Sequence, residues 1–163
     1  RGNVNTRLAK LEAGDYDAII LAAAGLKRLG FGDRIREQLP LSLALPAIGQ
    51  GILAIEFRAD RPDLEALLAP FVDRAALAAA QAERALGLVV EGSCEVPVGG
   101  HATVMGAGLV VEGFLGLPDG TRLVREKAEG GAADAAKLGR ALGERILARG
   151  GREILDLLAR PGK

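Results

Sequence analysis

Apolar and polar positions divide this chain into short blocks, and the rhythm changes part-way along it. Leu8 and Leu11 share one face of a helix over residues 6–11, with Asn3 or Asn5 to cap it and Gly14 to stop it. Residues 17–23 (DAIILAA) are a continuous apolar run with polar and small flanks, the pattern of a strand buried on both faces of a parallel sheet. A short helix is predicted over 24–29, another near 34–38, a second buried strand over 52–57 (ILAIEF), and a helix opened by Pro62 over 63–68. Helix, turn and buried strand are half of a wound α/β unit.

From Asp73 the pattern is different. Residues 73–88 form a long Ala- and Leu-rich helix with Asp73 as its cap, followed by a Gly92-Ser93-Cys94 loop. Three strands are predicted over 96–104, 109–117 and 122–129. Pro118-Asp119-Gly120 turns the chain between the last two, Pro and Asp opening the turn and Gly taking the positive φ. Asp134 caps a helix to about 149 with Leu138, Leu142, Ile146 and Leu147 on one stripe, and a last short helix covers 153–159. The fold class is therefore α/β: a partial α/β unit, then a small α+β domain with a three-stranded antiparallel sheet and helices.

Composition narrows the function classes. The chain has 163 residues with 21 basic and 21 acidic side chains, so no broad electrostatic footprint for nucleic acid is expected. No Trp, one Tyr and four Phe leave few platforms for stacking bases. One cysteine cannot form an internal disulfide, which points to a reducing, cytoplasmic compartment. The longest apolar run, 18–26, is too short to cross a bilayer, so no membrane partner is expected.

Four features could carry chemistry. Cys94 lies in Glu91-Gly92-Ser93-Cys94-Glu95-Val96-Pro97, a loop between helix and strand, where reactive groups are displayed. Its acidic neighbours disfavour a thiolate, so it is not an obvious acyl-transfer nucleophile. Arg1, Arg7 and Arg28 form a candidate anion set, since guanidinium holds a carboxylate through two parallel bonds. In Ala47-Ile48-Gly49-Gln50-Gly51, two glycines let backbone approach a ligand while the Gln50 amide points at it. His101, the only histidine, reads as structural or exposed, and one His with one Cys gives no metal-ligand spacing. On the residues alone, a carboxylate-binding module and a thiol enzyme with His101 as base both stay open.

Five segments in order resemble porphobilinogen deaminase (hydroxymethylbilane synthase): residues 1–11 (RGNVNTRLAKL), 16–29, 45–51 (LPAIGQG), 82–85 (AERA) and 91–97 (EGSCEVP). The resemblance spans nearly the whole chain. It implies the C-terminal half of a three-domain enzyme whose first two domains are similar to periplasmic binding proteins. Residues 1–50 would complete domain 2, 51–72 return to domain 1, and 73–163 form domain 3. It implies a transferase of tetrapyrrole biosynthesis that joins four porphobilinogen molecules head to tail, releasing ammonia each time. The product would be hydroxymethylbilane, primed by a dipyrromethane cofactor held in thioether linkage to Cys94. Arg1, Arg7 and Arg28 match arginines that grip the acetate and propionate arms, and Gln50 matches a cleft residue. A catalytic aspartate is expected in the N-terminal half, which this chain lacks; alone the chain should be inactive, and the complete enzyme is expected to be monomeric. Ser93 stands where the family usually has Gly, which would cost about 1 kcal/mol if that position needs positive φ.

Overall fold

Asn3 begins the first helix by accepting the Thr6 N–H at 2.9 Å, so α1 spans Val4–Glu12. Past Ala13 the chain turns at Gly14, φ 79°, and the Gly14 and Asp15 N–H groups donate to the Leu11 and Lys10 carbonyls. The computed structural model describes residues 2–90 and 96–159 and divides into two bodies, Arg1–Leu43 and Ala44–Lys163. In the first body α1 is followed by α2, Ala23–Arg28, and Leu8 and Leu26 are its buried apolar side chains.

The two strands expected at 17–23 and 52–57 are absent, and the helix expected near 34–38 is a single 3₁₀ turn at Gly32–Arg34. A parallel strand exists only through neighbours on its edges and cover on its faces. Among the described residues no segment pairs with either run, and Ile20, Leu53 and Ile55 are 77%, 85% and 65% exposed. Apolar composition marked these runs as strands, but composition cannot supply the ladder.

The second body holds α3, Pro62–Leu68, with proline in its first turn, and α4, Arg74–Val89. Asp73 caps α4 by accepting the Ala75 and Ala76 N–H groups at 2.9 and 3.0 Å. The sheet follows as β1, Val98–Met105, β2, Gly108–Gly116, and β3, Leu123–Gly131, antiparallel in the order β1-β2-β3. The β2–β3 turn is as expected: Gly120 has φ 72° and Asp119 accepts the Thr121 N–H. Helix α5, Ala135–Ile146, and helix α6, Arg152–Leu158, complete the body. Asp134 occupies the cap position of α5 without capping it, because a 3₁₀ turn at Ala132–Asp134 leads in and leaves its φ/ψ at −100°/20°, outside the extended region a cap requires. The helix expected to continue to 149 breaks at Gly150, φ 113°.

Alternation along the strands puts Leu109, Val111 and Leu115 of β2 on one face, under α4 and α5. Leu86, Val90, Leu142, Ile146 and Ile154 pack against them, all at 1% exposure or less. The cross-strand pair Gly100 and Gly113 leaves the hollow that the Leu86 side chain fills, since a Cβ on either would lie 2.9 or 2.5 Å from its Cδ2.

Candidate functional site

Strand β1 lies at the edge of the sheet, so alternate N–H groups along it face away from β2. Two of them, Gly100 and Ala102, find partners outside the sheet. The Gly100 N–H donates to the Pro46 carbonyl at 3.0 Å, and the Ala102 N–H donates to Glu83 Oε1 at 2.9 Å. The other oxygen of that carboxylate, Oε2, accepts the Gly49 N–H at 2.7 Å. Residues 46–49 are thereby laid along the β1 edge, with Ile48 over Gly87 and Gly100.

Glu83 is the buried charged residue of the core, 2% exposed. A carboxylate so placed is tolerable only because backbone N–H groups replace its water. His101 Nδ1 stands 3.7 Å from Oε1, too far for a hydrogen bond. The sequence marked Gln50 and the glycines beside it as candidates and placed Glu83 inside the 82–85 motif, but assigned that carboxylate no role. A signal was available: Ala79, Ala82, Glu83, Leu86 and Val90 recur at helical spacing, so Glu83 falls on the buried stripe of α4.

Gly49 and Gly51 have φ 76° and 86°, so the turn places the Gln50 side chain between two left-handed residues that favour glycine. Gln50 is exposed. The turn is anchored at Glu83, seven residues before Val90, a distance of about 10 Å along α4. Val90, fully buried, is the last described residue before the Cys94 segment, and on its far side the Pro97 carbonyl accepts the Gly116 N–H at 3.0 Å. Cys94 and Ser93, like Arg1, lie outside the described residues.

Arg7 is on α1 and Arg28 in the last turn of α2; both are exposed. Among the described residues neither makes an ion pair, whereas Arg34 in the same body is bound to Glu12 at 2.7 Å. Gln50 belongs to the other body, and Arg7 and Arg28 are described apart from it. Among the described residues no group of three His, Cys, Asp or Glu side chains could hold a metal ion, and no helix is long and apolar enough to cross a membrane.

Comparison with known proteins covers most of this sequence. Residues 1–66 match the family described as "Porphobilinogen deaminase, dipyromethane cofactor binding domain", and residues 77–148 match "Porphobilinogen deaminase, C-terminal domain". The chain is similar to porphobilinogen deaminase of Thiobacillus denitrificans, 49% identical over 158 residues, 97% of this chain and 52% of that protein. Its similarity to porphobilinogen deaminase of Laribacter hongkongensis is also 49%, over 162 residues, 99% of this chain and 53% of that protein. The chain spans about half the length of these curated relatives. Two adjoining domain matches to one enzyme, in the chain order of the five motifs, establish that the chain belongs to the porphobilinogen deaminase family.

Proposed function

We propose that this chain is the cofactor-bearing, C-terminal half of a hydroxymethylbilane synthase. The complete enzyme joins four porphobilinogen molecules head to tail with release of ammonia, and Cys94 holds the dipyrromethane primer as a thioether. When bound, the dipyrromethane supplies the pyrrole end to which the next porphobilinogen is joined. The observation that carries the reading is the arrangement at the β1 edge. The Gln50 turn is fixed by Glu83 about 10 Å along α4 from the root of the Cys94 segment.

The chemistry of the donor set fits the group. Each pyrrole of the primer carries two carboxylates, and Arg7 and Arg28 are guanidiniums with no ion-pair partner among the described residues. Their role is to bind and orient those arms, with Arg1 as a third. The Gln50 amide can donate to and accept from a ring or carboxylate group brought to the turn.

The wider architecture follows the same reading. Residues 1–50 complete a periplasmic-binding-protein-like second domain, 51–72 return to the first, and 73–163 form the third. The large apolar side chains left open in the two returning stretches support it: Ile20, Leu43, Leu53 and Ile55 are 65–85% exposed. Exposed apolar side chains in each body call for a partner, and the N-terminal half of the same enzyme, which brings the catalytic aspartate, covers them. The assembled enzyme works as a monomer in the cytoplasm, without nucleic acid or membrane.

Intact mass spectrometry of this chain produced together with its N-terminal half tests the proposal. A mass gain of two pyrrole units that disappears in Cys94→Ala is expected. An unmodified thiol in that protein, supplied with porphobilinogen, would refute it.

A further inference from the structure

We infer that Glu83 is a positioning residue: its carboxylate bridges the Gln50 turn to the β1 edge and so sets where the Gln50 side chain stands against helix α4 and strand β1. The inference rests on the proposed function only for what Gln50 does; the bridge itself is a matter of hydrogen bonds.

Geometry requires a carboxylate here. Oε2 accepts from Gly49 at 2.7 Å and Oε1 from Ala102 at 2.9 Å, two donors on separate segments. An ionised carboxylate is the side chain that offers two acceptor oxygens and no donor. Glutamine would keep one acceptor and turn an NH₂ group toward the other N–H. The bonds are charge-assisted and the carboxylate is 2% exposed; the Ala102 bond is buried and the Gly49 bond part-buried, so loss of an acceptor oxygen is poorly compensated by water.

The turn has two further contacts within the second body. Pro46 is bonded through its carbonyl to Gly100, and Ile48 lies over Gly87 and Gly100, where an added Cβ on Gly87 would stand 3.0 Å from Ile48 Cδ1. Both precede Gly49. The Gln50 N–H donates to the Ala47 carbonyl at 3.0 Å and the Ile52 N–H to the Gly49 carbonyl at 3.2 Å, which shape the turn internally, while the bond from Gly49 to Glu83 ties it to helix α4. Loss of that tie leaves Gln50 on a Gly-flanked segment free to sample other conformations. Helix α4 therefore carries two functions on one element: its C-terminal end roots the Cys94 segment, and its Glu83 holds the turn.

The test has two arms. Hydrogen exchange on this chain reads the bridge: in Glu83→Gln the amides of 49–52 exchange about tenfold faster or more, while those of Leu86 and Leu142 keep their protection. Unchanged exchange at 49–52 would overturn the bridge. Should Glu83→Gln loosen the whole body, Glu83→Asp decides, since it keeps the charge and both acceptor oxygens but is one methylene too short to reach the Gly49 and Ala102 N–H groups together. Faster exchange confined to the turn supports the inference, and exchange that rises everywhere or nowhere overturns it.

The second arm uses the complete enzyme, this chain joined to its N-terminal half, and a double-mutant cycle on kcat/KM. Glu83→Gln lowers kcat/KM in the parent but by less than threefold further in a Gln50→Ala background, because Glu83 acts through Gln50. Effects that multiply independently would refute positioning. A Gln50→Ala variant with full activity would refute the role given to Gln50 while leaving the exchange result standing.

Discussion

Replacing Gly139 by alanine should loosen the helix pair on which the site is built. An added Cβ would stand 2.0 Å from the Ala82 carbonyl oxygen, where real contacts essentially never fall below 3.0 Å. Its next neighbours are the Ala82 carbonyl carbon and Cα at 2.8 and 3.0 Å, so the obstacle is α4 backbone and no rotamer change relieves it. Helices α4 and α5 must separate by at least about 1 Å, a gap that forfeits a quarter to a half of each dispersion contact it opens. Overpacking against rigid backbone belongs at the upper end of its usual cost, about 3 kcal/mol. Alanine returns about 1 kcal/mol through its better helix propensity. The net loss is about 2 kcal/mol, or roughly 5–10 °C in Tm for a body of this size. Urea titration followed by far-UV circular dichroism measures it as a lower midpoint with an unchanged slope. A Gly139→Ala variant as stable as the parent would show that α4 and α5 do not pack through this glycine, and would refute the reasoning.

Four other outcomes are expected. Asp73→Ala, which removes an acceptor for two N–H groups at the start of α4, destabilises the chain by about 1 kcal/mol in the same titration. Arg58→Ala leaves stability within about 0.5 kcal/mol, because the Arg58–Asp60 pair is open to solvent and screened. The Asp119 carboxyl is held below the ordinary aspartate value, first by the Thr121 N–H and then by the Thr121 hydroxyl. Its stabilisation of the β2–β3 turn is complete above the unfolded carboxylate range and is lost as pH falls through the lowered folded value. NMR titration should give Asp119 a midpoint below that of an unstructured aspartate; a midpoint at or above it would count against the turn. In the complete enzyme, Arg28→Lys and Arg28→Ala should each lower kcat/KM for porphobilinogen about tenfold or more, since lysine cannot supply the two parallel bonds; wild-type kcat and KM in both would exclude Arg28 from carboxylate binding.

What the sequence by itself determined was local chemistry. Asp73 caps its helix, one of Asn3 and Asn5 caps the first (the structure selects Asn3), Gly14 and Gly120 take positive φ, and the alternation in β2 names its buried face, because each depends on residues within a few positions of one another. The family was legible for a similar reason, since five short motifs keep their order along one chain. The tertiary structure decided what depends on distant partners. Two apolar runs with strand composition remain unpaired, because a ladder is a property of two segments. Asp134 and Asp73 are the same residue in the same kind of position, yet only Asp73 caps, since the preceding backbone fixes the cap geometry. Glu83 lies in the 82–85 motif, yet nothing near it in sequence tells what its carboxylate binds. Only folding brings Gly49, 34 residues before it, and Ala102, 19 residues after it, to the two oxygens of one carboxylate, where burial makes both bonds obligatory.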